Sequence, residues 1–353
     1  MNYSIDDYDY ELPVELIAQE PALKRDWSRL LYLQRTTGKI EEYRFSEMPS
    51  LLRSGDLLVV NNAKVFPAKL FGKKETGGRV EILVLEHSPR PAGEDNNKRW
   101  CLVRASKRPR QGTLIVFPDG LTGTVGREGT DGAIEIQFNG GHDIDYILKK
   151  RGCLPLPPYI KRDANDRRSE MDRKRYQTIF SHFSGAIAAP TAGLHFTHDV
   201  ITTLKSLGID LVSITLLVGH GTFKPVRVND IREHKLGGES YFIDNDAACS
   251  IERARQEGRR IVAVGTTVVR TLETVFKEKG RIAPGSGVAN LLIYPGFTFQ
   301  VVDSLLTNFH LPRSSLLFLV SAFAGRDLIM EAYNLAVEKR YRFYSYGDAM
   351  LIT

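Results

Sequence analysis

The sequence predicts an α/β protein: a mixed, largely parallel α/β main domain, able to curl toward a barrel, carrying an inserted all-β, barrel-like second domain. Three observations predict it. The chain has 353 residues, more than a single core usually serves, so two domains are expected. Residues 56–136 read as strands throughout, whereas after Pro158 strands alternate with helices. Finally, Gly- and Thr-rich turns follow apolar strands, where α/β folds place ligand-binding groups. The expected boundaries are 1–58 for the first part of the main domain, 59–151 for the insert, and 152–353 for the remainder with the candidate catalytic site.

Taken in order, the first stretch mixes short strands, such as Leu30–Leu33, with charge-rich loops. The all-strand stretch follows with strands at Leu57–Val60, Val80–Leu85, Trp100–Val103, Leu114–Phe117 and Ala133–Phe138. Turn signals at Thr76–Gly78, Pro118–Gly120 and Asn139–Gly141 punctuate them at the spacing of a small sandwich or barrel. A helix over Asp143–Lys150 and a Pro-rich loop, Leu154–Pro158, close it. Strands then fall at Ala186–Ala189, Leu211–Val218, Ile261–Val264 and Leu291–Tyr294. The helices between them are Asp199–Leu207, Asp246–Glu257 and Thr267–Lys279, each ended by a glycine (Gly208, Gly258, Gly280). Leu316–Gly325 reads as a buried helix. Arg340–Tyr346 interleaves bases with aromatics and suits a half-buried strand somewhat better than a base-stacking platform.

Hydrophobic content of 42% and charged content of 25% are those of a soluble globular protein. The N-terminus is acidic (Asp6, Asp7, Asp9, Glu11) and unlike a signal peptide, and the longest apolar run is far shorter than the ~20 residues a bilayer needs. No membrane partner is expected. Cys101, Cys153 and Cys249 are sparse and odd in number, which suits a reducing cytoplasm. His195 and His198 lack the i,i+4 zinc spacing, so no metal is expected.

The net charge of +6 and pI of about 9.1 favour a polyanionic partner. Lys98–Arg110 holds six basic residues, no acidic one and Trp100; Lys161–Arg175 holds seven basic against four acidic. Either run alone fits a solvated loop as well as RNA. Together they favour RNA modestly.

Three strand-end turns carry the chemistry. The first is Pro190, Thr191, Gly193 and His195; the second Gly219, His220, Gly221 and Thr222; the third Gly265, Thr266 and Thr267. They suggest one shared site. A helix opening at Thr267 could hold a carboxylate, ribose hydroxyl or phosphate, although an ordinary Thr cap explains it as well. Neither G-x-G-x-x-G nor a P-loop lysine motif occurs, so a nicotinamide dehydrogenase or P-loop ATPase has no support. His195 and His220 sit where a titrating imidazole serves proton transfer. His234 with Glu239, and Asn308 with His310, are further polar candidates.

Many separate blocks in one order carry a family likeness: Tyr10–Gln19, Ser28–Leu31, Gly55–Lys69, Thr76–Leu83, Leu156–Ile160, Arg175–Thr178, the three turns, Tyr294–Phe297, Leu306–Pro312, Val320–Gly325 and Tyr344–Met350. The chain resembles the S-adenosylmethionine:tRNA ribosyltransferase-isomerases of queuosine biosynthesis. The resemblance implies transfer and isomerisation of the ribosyl part of S-adenosylmethionine onto 7-aminomethyl-7-deazaguanine at the tRNA wobble position, giving epoxyqueuosine, adenine and methionine. S-adenosylmethionine is then a consumed substrate and no resident cofactor is implied. The chain departs from the family pattern at Gly237, where a second histidine is usual, at Val268 in place of a serine, and at Ala63 in place of a threonine.

The role assignments that follow are expectations. His195 or His220 is the base, with His234, Glu239 and His310 as other catalytic candidates. Pro190, Thr191, Gly193, Gly219, Gly221, Thr222, Gly265, Thr266 and Thr267 line the S-adenosylmethionine pocket. Lys64, Arg79, Lys107, Arg108 and Arg270 contact tRNA or a carboxylate. The partners are tRNA and S-adenosylmethionine, and the protein is expected to act as a monomer. An S-adenosylmethionine-dependent RNA methyltransferase and a non-catalytic RNA-binding protein are the rival readings.

Overall fold

The computed structural model describes residues 3–85, 95–141, 143–162, 166–219, 221 and 225–353. Two compact units emerge. One comprises Met1–Ala63, Arg175–Phe183 and Ala189–Thr353; the other comprises Lys64–Lys174 and Ser184–Ala188.

The first unit is built on β1 (Arg29–Leu33), β2 (Ile40–Arg44) and β3 (Leu57–Asn61) from the start of the chain. The second supplies β4 (Ala63–Val65), β5 (Lys69–Lys74), β6 (Arg79–Val84), β7 (Lys98–Ala105), β8 (Leu114–Val116), β9 (Thr122–Glu128), β10 (Ile134–Asn139), α1 (Ile144–Arg151), α2 (Ser169–Arg175) and β11 (Phe183–Ala186). The chain then returns with α3 (His198–Ser206), β12 (Asp210–Leu216), β13 (Glu239–Ile243), α4 (Asn245–Gln256), β14 (Ile261–Val264), α5 (Thr266–Lys279), β15 (Gly285–Ala289), β16 (Ser304–Asn308), α6 (Ser315–Ala324), α7 (Arg326–Glu338) and β17 (Ala349–Ile352).

The sheet of the first unit has nine strands in the order β15, β13, β12, β3, β14, β16, β17, β1, β2. Its centre, β12 to β16, is parallel because helices carry the chain back between strands. The strands β3, β14, β16 and β17 are buried along their whole length. Such unbroken burial belongs to strands covered on both faces. Leu58, Val60, Val262, Val264 and Leu306 meet Phe196, Val200 and Leu204 on one face. On the other, α4 and α5 lie against β12 and β14.

The expectation of a largely parallel sheet is corrected. Four of the eight pairings are parallel, and four (β15–β13, β13–β12, β16–β17, β1–β2) are antiparallel. β1 and β2 form a hairpin, whereas β17 returns against β16 only after the helix pair α6–α7, and the sheet is open, not a barrel. The strand expected at Leu291–Tyr294 is also absent; Gly285–Ala289 pairs with β13 instead. A Gly-Ser-Gly-Val-Ala strand has no apolar alternation to announce it, and Gly287 is needed there because a Cβ would lie 2.4 Å from the Tyr241 hydroxyl. Residues 340–346 form a buried turn with positive φ at Arg340 and Tyr344, not a strand. Helix α7 was not anticipated.

In the second unit six antiparallel strands close a barrel in the order β10, β7, β6, β5, β8, β9. The inward residues alternate along each strand (Val80, Ile82, Val84; Ile134, Ile136, Phe138), and α1 adds Ile144, Ile147 and Leu148 to the same core. β4 and β11 form a separate two-stranded sheet. The unit runs on past Arg151 to Lys174: Lys69 and Cys153 exchange backbone bonds, and Arg173 donates to the Gly152 carbonyl at 2.5 Å. No helix among the described residues is long and apolar enough to cross a membrane.

Gly152 has an ordinary φ but no room for a side chain. A Cβ there would lie 1.8 Å from the Pro67 carbonyl oxygen, and backbone cannot swing aside. Gly152→Ala is therefore expected to destabilise the barrel by about 3 kcal/mol or more. Gly141, at φ 75 with open space around it, should lose only about 1 kcal/mol on the same change. Urea titration in a Trp27→Phe background, where Trp100 on β7 is the remaining indole, measures both.

Candidate active site

The carboxyl ends of β3, β12, β14 and β16 open on one edge of the sheet, as their parallel registers require. β17 runs antiparallel to β16 and parallel to β1, so both begin at that edge. In register, Asn308 sits opposite Ala349, and Ala349 opposite Leu30. Ser28, just before β1, thereby comes close to Asn308 at the end of β16. A 3-10 turn over Thr191–His195, opened by the Pro190 carbonyl bonding the Gly193 N–H, delivers His195 between them.

His195 is 4% exposed and held on three sides. Its ring stacks on Phe45 at 5.1 Å, Nδ1 lies 2.7 Å from Ser28 Oγ, and Nε2 lies 3.3 Å from Asn308 Nδ2. Asn308 Nδ2 also donates to the Tyr344 carbonyl at 3.0 Å, which fixes the amide's orientation. Nε2 is then the acceptor, and the proton rides on Nδ1 toward Ser28, whose hydroxyl donates to the Arg25 carbonyl at 3.2 Å. Burial, with the guanidiniums of Arg342 and Arg25 behind it, pushes the imidazole down to about 3. The ring is neutral at ordinary pH. Beside it, Asn308 Oδ1 is buried without a partner, an acceptor open to a ligand.

Three arginines that sequence reading did not single out line a small cavity with His195 and Ser28. Arg25 donates to the Leu194 carbonyl at 2.9 Å, Arg175 to the Leu23 and Ala22 carbonyls at 3.1 and 2.6 Å, and Arg342 to the Glu20 carbonyl at 3.3 Å. Ser28 and Arg175 did stand inside blocks of the family likeness. Nothing in their spacing marks them as neighbours of a histidine.

The remaining predicted residues divide. Gly265 adopts φ 95, which a side chain would strain, and a Cβ there would sit 3.8 Å from Ala192, so the first and third turns adjoin. Gly193 is tighter: its Cβ would lie 2.9 Å from Thr178. Thr266 is buried at the start of α5, and Thr267 Oγ1 is buried without a partner. Glu239 and Arg270, expected as a base and an RNA contact, form a buried ion pair at 2.6 Å. Glu239 also accepts the Gly219 N–H at 3.0 Å, and Arg270 donates to Ala289 and Leu291 carbonyls. Arg270 is thus engaged inside the protein and turned to no surface.

His310 is buried among Tyr10, Tyr333 and Phe309, with Nε2 3.0 Å from Thr307 Oγ1, its N–H donating to Tyr333 and its carbonyl accepting from Tyr10. Burial pushes it down to about 3. His234 is half-buried, and burial lowers it too. Gly221 lies against Gly237. His220 and Thr222 fall outside the described residues. Lys64, Arg79, Lys107 and Arg108 are all exposed in the barrel unit, Arg108 pairing with Glu128 at 3.2 Å. Among the described residues no three His, Cys, Asp or Glu side chains gather as a metal-binding set.

Comparison with known proteins places these features in a family. Residues 5–352 match the family described as "Queuosine biosynthesis protein". The chain is 50% identical over 348 residues to the S-adenosylmethionine:tRNA ribosyltransferase-isomerase of Carboxydothermus hydrogenoformans, covering 98% of both. It is 49% identical over 351 residues to that of Geobacter metallireducens and 46% over 349 to that of Syntrophotalea carbinolica, each at 99% coverage of both chains. The crystal structure of the S-adenosylmethionine tRNA ribosyltransferase of Thermotoga maritima is similar with a TM-score of 0.55 and 38% identity, covering 98% of this chain and all of that one.

Two buried neutral histidines couple stability to pH. Their folded pKa values lie below the unfolded ~6.5, so the unfolded chain takes up protons first as pH falls. The stability they contribute is complete above 6.5 and is lost progressively toward 3. Between pH 7 and pH 5 each should cost about 2 kcal/mol. His310→Asn should remove about half of that pH dependence, read from urea midpoints at the two pH values.

Proposed function

The chain belongs to the queuosine biosynthesis protein family, and we propose from that premise how its residues serve the reaction. It is an S-adenosylmethionine:tRNA ribosyltransferase-isomerase. It moves the ribosyl part of S-adenosylmethionine onto 7-aminomethyl-7-deazaguanine at the tRNA wobble position, leaving epoxyqueuosine, adenine and methionine. The observation that carries the residue assignments is the neutral, oriented imidazole of His195 at the carboxyl edge of the sheet.

The sulfonium of the substrate acidifies the adjacent C5′ hydrogen, so a positioned proton acceptor can start the loss of adenine. His195 Nε2 is our candidate: its lone pair is unprotonated, and the Ser28–Arg25 hydrogen-bond relay on Nδ1 sets the ring's tautomer. Asn308 moves from Nε2 or turns its free Oδ1 to a ligand N–H, a fitting partner for the aminomethyl group. That group must be neutral before it can attack the ribosyl carbon. Methionine then leaves as a neutral thioether while the epoxide closes. Thr191, Gly193, Gly265, Thr266 and Thr267 line the S-adenosylmethionine pocket in this reading, next to His195.

The exposed bases of the barrel, Lys64, Arg79, Lys107 and Arg108, are proposed as tRNA phosphate contacts; Arg270 is withdrawn from that set because Glu239 holds it. We place the enzyme in the cytoplasm as a monomer needing no resident cofactor.

Incubation with S-adenosylmethionine and tRNA carrying the aminomethyl base should release adenine and methionine. Release of S-adenosylhomocysteine instead would make the protein a methyltransferase, and no turnover would leave an RNA-binding protein. His195→Ala should slow adenine release roughly 100- to 10,000-fold; turnover within a factor of two of wild type would remove His195 from the chemistry. The double change Lys107→Glu, Arg108→Glu should weaken tRNA binding and make the slope of log K against log salt shallower by about 2. An unchanged slope would detach that loop from the RNA.

A further inference from the structure

The cavity beside His195 has an unusual charge inventory. Arg25, Arg175 and Arg342 all line it, together with Ser28, His195 and Gly347. Arg175 donates two N–H groups to the Ala22 and Leu23 carbonyls, and its Nε is buried without an acceptor. Neutral carbonyls satisfy hydrogen bonds but do not cancel a charge. Burial lowers Arg25 and Arg175 below the usual guanidinium range, and for Arg25 the charge of Arg175 adds to this. Arg342 reaches Asp348 only at 3.5 Å, and that carboxylate already accepts the Arg29 and Arg342 backbone N–H groups at 3.0 and 2.8 Å.

Asp348 meets Arg342, but the charge on Arg175, held by carbonyls alone with its Nε unsatisfied, is costly unless a further anion joins it. Guanidinium forks match the two oxygens of a carboxylate or a phosphodiester, and each such bond is charge-assisted. The cavity measures about 20 Å³, near the volume one water occupies. It admits the tip of an oxyanion and excludes a whole nucleotide.

We propose that Arg25, Arg175 and Arg342 form an oxyanion subsite, which takes one carboxylate or phosphodiester group of a substrate and offsets the positive charge facing His195. The proposal rests on the reading that the enzyme binds S-adenosylmethionine and tRNA, since each supplies one such group. It also gives a buried, weakly basic imidazole a reason to gain proton affinity once the substrates are seated. A purely structural role is the competing account, in which the arginines staple the Glu20–Arg25 segment.

Arg175→Gln and Arg175→Lys separate these accounts. The subsite predicts that Arg175→Gln raises one KM by about 10- to 100-fold, the size of a lost charge-assisted bond, with Arg175→Lys recovering part. If the anion is the carboxylate, KM for S-adenosylmethionine rises, and the variant loses nothing further with a decarboxylated analogue. If it is a phosphodiester, KM for tRNA rises and the salt slope falls by about 1. Both KM values within twofold of wild type, or a lower melting temperature as the sole change, would overturn the subsite. A second measurement needs neither turnover nor a well-folded variant: inorganic phosphate should raise the melting temperature of wild type and compete with the same substrate. No phosphate effect on wild type would also overturn it. Absence of adenine release by wild type would instead sink the functional reading, so the two failures are distinguishable.

Discussion

The site depends on one constraint, the pairing of β16 with β17 and of β17 with β1. Those two registers bring the end of one strand and the beginning of another to the same edge, from opposite ends of the sequence. Asn308 and Ser28 then grip the two nitrogens of His195. Without the antiparallel turn of β17, the sheet would still be a sound core, but Ser28 would leave from the far edge and the imidazole would lose its orienting hydroxyl. The departure from an all-parallel sheet is therefore a feature of the site as much as of the fold.

Burial gives His195 a fixed ring and takes away its basicity. Phe45 and the surrounding core exclude water, and the neighbouring guanidiniums oppose a third positive charge. An imidazole so placed stays neutral over the whole physiological range, which leaves its lone pair unprotonated, accepting from Asn308 Nδ2, and makes it a poor base. For the base proposed above, preorganised geometry with suppressed basicity suits an enzyme that must bind two substrates before a proton moves. A reactive base exposed to a lone sulfonium would risk losing adenine with no acceptor in place.

Much of this was legible from residue order, and the remainder was not for identifiable reasons. The barrel strands announced themselves by apolar alternation between Gly-rich turns, as at Val80–Val84 and Ile134–Phe138. Helices α3, α4 and α5 were marked by their caps and closing glycines. β15 was hidden because Gly287 serves close packing against Tyr241 and its glycines carry no pattern. His195 stood out after an expected strand at Ala186–Ala189, which the structure instead ends at Ala186, whereas Ser28, Arg25, Arg175 and Arg342 reach it through tertiary pairing that no local spacing encodes. Arg270 and Glu239 were each read as functional charges because a charge in sequence looks the same whether it faces solvent or a buried partner.

That buried pair links the strand-end turns mechanically. Glu239, on β13, holds the Gly219 N–H with one oxygen and Arg270 with the other. Arg270 is one turn into α5, whose first residues follow Gly265, and Gly265 adjoins Ala192 in the turn that carries His195. Removing either partner of such a pair strands a charge in the interior, at a cost of about 3–5 kcal/mol. The cost would not stay local: the Gly219 turn loses its anchor, and α5 loses the bond that fixes its first turns against β13 and β15. The ion pair thus acts through position, holding the Gly219 turn and the start of α5 in one frame.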